Sequence, residues 1–194
     1  MIRSKVVEYS EVGKSHRIVF TFQGRRPLPG QFIALILPGE KEIPLGVTDY
    51  NDSTIEVYVD SPKLFKRILS SRYVVLEGPF GKPIPMGNTL GVATEDLFHD
   101  VLFPLREAKR KGFEASLECW GSCGADFPHR EGVKWDVVVA SVPREMLDKL
   151  PRSTMVYVRW VNMNCMAGVC GVCQVNGNLA CVDGPFLELR KIVA

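Results

Sequence analysis

The chain has no apolar run long enough to cross a bilayer. Its longest, such as FIALIL at residues 32–37, fall far short of the roughly 20 residues a membrane helix needs. It also lacks a surplus of one charge. Lys and Arg number 24 against 22 Asp and Glu, a net charge of +2, and no basic run is interleaved with aromatics. That balance excludes a nucleic-acid footprint and a polybasic membrane anchor. Histidines are few: His16 falls in a strand pattern, His99 in an amphipathic helix and His129 beside Pro128 in a loop. With no second ligand near any of them, each reads as structural. No nucleophile, acid/base pair or oxyanion arrangement stands at a recognisable spacing, so no catalytic residue is assigned to this chain. There is no internal repeat, and Met1 leads into a polar, alternating segment rather than a signal sequence, which gives the expectation of a cytoplasmic protein.

What is present is a composition fit for a packed core, with 46% hydrophobic residues in 194, and six cysteines. Four of these, Cys165, Cys170, Cys173 and Cys181, form a C-x4-C-x2-C-x7-C array. The first three match the ligand spacing of plant-type [2Fe-2S] proteins, where a short loop wraps a cluster and a fourth thiolate arrives from further along. Gly168 and Gly171 allow the positive φ that such a curl needs. Zinc is a rival reading, but it favours paired C-x2-C units and only Cys170 and Cys173 are so spaced. Disulfides or inert thiols are the other rival, and a reducing cytosol disfavours cystines. Cys119 and Cys123, in ECWGSCGAD, read as small buried residues, with a redox pair as the alternative.

Along the chain the pattern is that of a multidomain α+β protein. Residues 1–86 carry short strands punctuated by Gly, Pro, Asn and Asp, at KVVEYSEV, HRIVFTFQ, QFIALILP, STIEVYVD and YVVLEGPF, which suggests an antiparallel β-barrel. One helix interrupts them, SPKLFKRILSS, with Ser61 as N-cap and Pro62 at its first position. Residues 87–160 read as a reduced α/β layer, with strands at EASLECW, WDVVVASV and TMVYVRWV and helices at DLFHDVLFPLREAKRKG and PREMLDKL. Residues 161–194 hold the cysteine array and are too few to fold alone without a metal.

This order, with PGQF at residues 29–32, GPFG at 78–81 and CVDGPF at 181–186, resembles the electron-transfer subunits of dihydroorotate dehydrogenase. The wider group is the ferredoxin-reductase-like flavoproteins, which includes sulfhydrogenase gamma subunits and a subunit of NADH-dependent ferredoxin:NADP oxidoreductase. The resemblance implies a barrel that binds FAD, an α/β domain that binds NAD, and a C-terminal [2Fe-2S] subdomain on the four cysteines. For FAD it would bring in Pro44, Gly46, Ser61, Lys63, Gly78 and Gly81. The family's Arg-Pro-x-Ser element is Ile43, Pro44, Leu45 and Gly46 here, which removes the guanidinium for a pyrophosphate and the hydroxyl near a flavin ring. Its Gly-Thr pair is replaced by Asp60, Ser61, Pro62 and Lys63, where Asp60 is unwelcome to phosphate and only Lys63 and Lys66 compensate. Glu95 and Asp96 follow the first α/β strand where a glycine-rich turn would be, and Ala140 to Pro143 replace a Cys-Gly-Pro element, so NAD binding is not expected.

The resemblance further implies a heteromer with an FMN-containing catalytic subunit. This chain would then be its non-catalytic redox subunit in pyrimidine biosynthesis, carrying electrons from FMN to an acceptor other than NAD. Met166, where the family commonly has glycine, reads as core packing beside the cluster, and Met163, Met166 and Val169 as the face towards the partner. A subunit of another oxidoreductase, and a zinc-stabilised interaction module, are the alternative functions.

Overall fold

The computed structural model describes residues 1–39 and 41–193. Its first half contains β1 (Ile2–Ser4), β2 (Val6–Val12), β3 (Ser15–Thr21), β4 (Phe32–Ile36), β5 (Ile43–Asn51), β6 (Thr54–Val59), α1 (Pro62–Ser70) and β7 (Val74–Phe80). The seven strands form one antiparallel sheet in the order β1-β7-β4-β5-β6-β3-β2. Consecutive strands β1 and β2 therefore lie at opposite edges, yet only Lys5 separates them. The sheet must curl to bring its edges together at Lys5, whose carbonyl accepts from the Thr21 amide at 2.9 Å and extends the β2–β3 ladder by one rung. The inward side chains Ile18, Phe20, Ile33, Leu35, Ile55, Val57 and Leu76 fill the resulting half-barrel. Helix α1 closes one end with Phe65 and Ile68, and its Ser61 side chain accepts from the Leu64 amide as an N-cap should.

Strands β1 and β5 were not anticipated. β5 carries Pro44 and Gly46, both of which weaken a strand signal, but tertiary pairing overrides them: its first half pairs with β4 and its second with β6.

The second layer comprises β8 (Thr89–Thr94), α2 (Leu102–Arg110), β9 (Ala115–Trp120), β10 (Val137–Ser141) and β11 (Met155–Tyr157). Its sheet order is β14-β11-β10-β8-β9, parallel except for β14 (Phe186–Glu188) at one edge. The long helix expected before Gly112 is a 3-10 turn at Phe98–Val101 followed by α2, and PREMLDKL is 3-10 rather than α at Arg144–Lys149. Only three residues of TMVYVRWV stay in the sheet, because the chain turns away after Tyr157. Helix α2 reaches across the layers: its fully buried Phe103 sits in the barrel core, and its Arg106 bonds Glu56 of β6 at 2.6 Å.

The last segment adds a small hairpin, β12 (Gln174–Val175) with β13 (Asn178–Leu179), then β14 and the short α3 (Leu189–Ile192). It does not stand apart, since β14 pairs with β11 beyond the expected boundary at residue 160. The barrel meets it directly: the Lys82 amide donates to the Gly184 carbonyl at 2.8 Å. At Gly81 (φ 78) a Cβ would collide with that same carbonyl. Gly81→Ala should therefore destabilise the protein by about 2–3 kcal/mol, from backbone strain plus collision. Gly13→Ala, at φ 60 with open space around it, should cost only about 1 kcal/mol. Urea unfolding midpoints of the two variants check the difference.

Candidate functional site

Two sites emerge, one on the cysteine loop and one in the cleft between the layers. All four array cysteines are free thiols: Cys173 and Cys181 are buried, Cys165 is half-buried and Cys170 exposed. They gather as two pairs. Cys173 Sγ lies 3.2 Å from Cys181 Sγ, and Cys165 is hydrogen-bonded with the Cys170 side chain. The backbone amides do what a curled loop with Gly168 at φ 75 and Gly171 at φ 70 permits. Those of Ala167, Cys170 and Val169 bond the Cys165 sulfur and, with the Cys170 thiol, pull its pKa down to about 6. Burial, then the Cys173 thiol, pushes Cys181 up to about 12, with the Gly168 amide opposing.

The two-by-two arrangement bears on which metal the loop suits. Among the described residues no three His, Cys, Asp or Glu side chains are set to hold a single ion. A structural zinc needs four ligands in one tetrahedron, whereas a two-iron cluster with four thiolates takes two on each iron. The chemistry of the donors, the inward amides and the dry inner wall thus fit a [2Fe-2S] group better than zinc.

Met166 holds a left-handed φ of 52, the conformation for which a glycine is usual. Its side chain is 3% exposed and packs with Met163, Cys173 and Cys181 in one core. Met163 and Met166 therefore face inward, a correction to their expected place on the partner face. Val169 is 83% exposed, and Val172 and Val182 join it at the surface.

The cleft between the half-barrel and the parallel sheet holds a cavity of about 310 Å³. Pro44, Gly46 and Ser61 line it, together with Asp60, Tyr58, His99, Asp100, Tyr157 and Arg159. Lys63, Gly78 and Gly81 do not, and Lys63 and Lys66 are exposed on α1. Arg159 crosses the cleft. It bonds Asp100 at 2.7 Å and also bonds Asp60; Asp100 in turn accepts from Ser141 at 2.7 Å and Asp60 from Ser15 at 2.7 Å. Burial alone would raise the Asp60 pKa, but Arg159 and Ser15 hold it below the ordinary value. Arg159 is likewise raised above its usual range by Asp100 and Asp60 against the pull of burial.

The residues of this cavity offer a pyrophosphate little. The cavity is small, at the bottom of the roughly 300–1,000 Å³ of ligand sites, and its one cation is committed to two carboxylates. At Gly46 a Cβ would meet the Tyr157 hydroxyl at 2.9 Å, so the phenol takes the space that a side chain there would occupy. After β8, the Glu95 carboxylate accepts from the Ser122 amide at 3.3 Å and Asp96 pairs with Lys14.

Three residues stand differently from a plain reading of the sequence. Cys119 and Cys123 are half-buried and joined in a disulfide across the turn that ends β9. Their x3 gap could not announce this, because the pairing depends on how the turn folds. His99 is a cavity residue rather than a simple core one; nothing in its neighbourhood signals this, since Tyr58 and Arg159 come from distant segments.

The half-barrel and parallel layer together define the ferredoxin-reductase-like fold. A chain of the NADH-dependent reduced ferredoxin-NADP oxidoreductase superposes with a TM-score of 0.75 at 19% identity, covering 98% of this chain and 89% of that one. Phthalate dioxygenase reductase gives 0.57 at 13% identity, covering 86% and 70%. In sequence the chain is similar to two curated proteins, each named "Probable dihydroorotate dehydrogenase B (NAD(+)), electron transfer subunit". The one from Pyrococcus abyssi is 28% identical, with 98% of this chain and 91% of the relative aligned. The one from Pyrococcus furiosus is 24% identical, with 98% and 92% aligned. No protein-family model matches the chain.

Replacing Arg159 leaves buried Asp100 without its cation, so Arg159→Met should cost about 3–5 kcal/mol in chemical denaturation. Because the folded pKa of Asp60 is depressed, its contribution is present above the unfolded carboxylate pKa of about 4 and is lost as pH falls through the folded value. The stability gap between wild type and Asp60→Asn should accordingly shrink below about pH 4.

Proposed function

We propose that the chain is the electron-transfer subunit of a cytoplasmic dihydroorotate dehydrogenase, a redox subunit without substrate chemistry of its own. In this reading a [2Fe-2S] cluster is held by Cys165 with Cys170 and by Cys173 with Cys181, and electrons come from the FMN of a catalytic partner in pyrimidine biosynthesis. The observation that carries it is the pairing of four free thiols on one loop. The similarity to named electron-transfer subunits supports the partner and the pathway.

When bound, such a cluster passes single electrons. The chain's own residues set its surroundings. Met163, Met166 and Ala180 exclude water from the inner side, and the amides of Ala167, Val169 and Cys170 offset the negative charge of the sulfur they face. Cys170, with Val169 and Val172, turns outward and presents an apolar rim where a partner would dock. Since the guanidinium lining the cavity is committed to Asp60 and Asp100, neither FAD nor NAD is assigned to the chain. The electrons then leave for another acceptor.

The likeness to the ferredoxin-NADP oxidoreductase chain favours one other reading, a subunit of a different oxidoreductase complex. Co-purification separates the two. An FMN-containing partner that oxidises dihydroorotate supports the proposal, and a partner of another activity overturns it. Iron and acid-labile sulfide in stoichiometric amounts are expected in anaerobically prepared protein. Cys173→Ser should lose the cluster's visible absorbance and dye reduction through this chain, while partner FMN still oxidises dihydroorotate. Full absorbance in that variant would refute the ligand set.

A further inference from the structure

Cys173 and Cys181 flank the β12–β13 hairpin, and its register bears on how their sulfurs can meet. Gln174 lies opposite Leu179 and Val175 opposite Asn178. The Ala180 amide donates to the Cys173 carbonyl at 3.0 Å, which carries the ladder one step further and sets Cys173 opposite Ala180. Residues opposite one another project to the same face of a ladder, and successive residues along a strand project to opposite faces. A continuing strand would therefore send the Cys181 side chain away from that of Cys173. The two sulfurs nevertheless stand 3.2 Å apart. The chain must leave the ladder at Cys181 and turn that side chain back.

The turn that does so spans residues 179–183. The Leu179 carbonyl accepts from the Val182 amide at 2.9 Å and from the Asp183 amide at 2.7 Å, and the Asp183 carboxylate accepts from the Leu179 amide at 2.8 Å. Both backbone groups of Leu179 are thus held by residue 183, and Cys181 sits in the middle of the ring they close. A bond to an ionised acceptor is stronger than a neutral one. Asp183 is exposed and has no cation paired with it among the described residues, so this bond is the role the structure gives its carboxylate. The neighbours of the turn leave it little room. A Cβ on Gly184 would meet the Ala180 carbonyl at 2.9 Å, and one on Gly168 would meet Val182 at 2.8 Å. The Gly168 amide also bonds the Cys181 sulfur, so the loop bearing Cys165 and Cys170 meets the fourth thiol at this turn.

We propose that Asp183 is the positioning residue for the fourth thiolate: its carboxylate closes the turn that swings the Cys181 sulfur to the side of Cys173. The use of that placement for a [2Fe-2S] group rests on the function proposed above; the placement of the sulfur does not. Alanine at this position removes the acceptor, whereas asparagine keeps one in its amide oxygen.

The metal-free chain, kept reduced, tests the placement. Cys173 and Cys181 are each 1% exposed, so both should react slowly with iodoacetamide. Asp183→Ala should raise the rate at Cys181 about tenfold and leave Cys173 within about threefold, read by peptide mass spectrometry. Asp183→Asn should stay within about threefold of wild type at both. After anaerobic reconstitution with ferrous iron and sulfide, Asp183→Ala should lose its visible absorbance to an iron chelator about tenfold or more faster than wild type, with Asp183→Asn close to wild type. Unchanged Cys181 alkylation in Asp183→Ala, an equal rise at Cys173, or an asparagine variant as reactive as the alanine one would overturn the proposal. A wild-type chain that takes up no iron while the alkylation pattern holds would support the turn assignment and refute the cluster reading.

Discussion

Everything at the functional end of the molecule depends on how a segment of about thirty residues without a separate core is held still. The cysteine loop solves this by sharing other elements' cores. Cys173, Cys181, Met163 and Met166 pack in one cluster with Phe32 and Ala34 of the half-barrel and with Val92, Ala140 and Val156 of the parallel sheet. Its far end is fixed by β14 pairing with β11. A third tether, the bond from the Lys82 amide to Gly184, ties the barrel to the turn just past Cys181. A loop pinned at three places loses little further entropy when a metal group binds, whereas a free loop would give up much of the binding energy to ordering. The preorganised amides around Cys165 express the same restraint.

That anchoring shapes the cleft as well. The stretch from Tyr157 to Met163 leaves the sheet, lines the cavity and then enters the loop, so the cleft and the cysteines are two faces of one piece of backbone. In this stretch Arg159 pairs with Asp60 from the barrel and with Asp100 from the second layer. The guanidinium fork suits two oxyanion partners. Here both partners come from the protein, so the charge that could have met a pyrophosphate instead joins the layers. With Tyr157 standing over Gly46, the cavity in the cleft is small and its one cation is already paired.

The sequence conveyed the local patterns and missed the tertiary ones. Cysteine spacing, the Ser61 cap and strand alternation each depend on neighbours within a few residues, and the four thiols and α1 could be placed from them. Strand β5 could not, because Pro44 and Gly46 hide a strand that exists through its pairing with both β4 and β6. Arg159 and Asp60 are 99 residues apart, and no periodicity reports such a bond. The absence of a family arginine and serine did show in the sequence, but not what replaces them. The filling of the cleft by Tyr157 and Arg159 needed the fold. Met166 lay between these extremes: its apolar bulk spoke for packing, while its left-handed backbone was invisible.

The position of the exposed valines completes the physical logic. Val169 and Val172 stand beside Cys170 on the outside, and Met163 and Met166 cover the inside. Apolar side chains left in water cost free energy, roughly 25 cal/mol for each Å² that a partner could cover, so their concentration at the loop marks where contact is favourable. Docking there would expel water from the outer side just as the methionines do from the inner one, leaving the thiols in a uniformly dry setting. The cavity reaches the same segment at Val161 and Met163, so an apolar wall is shared by the cleft and the inner side of the cysteine loop.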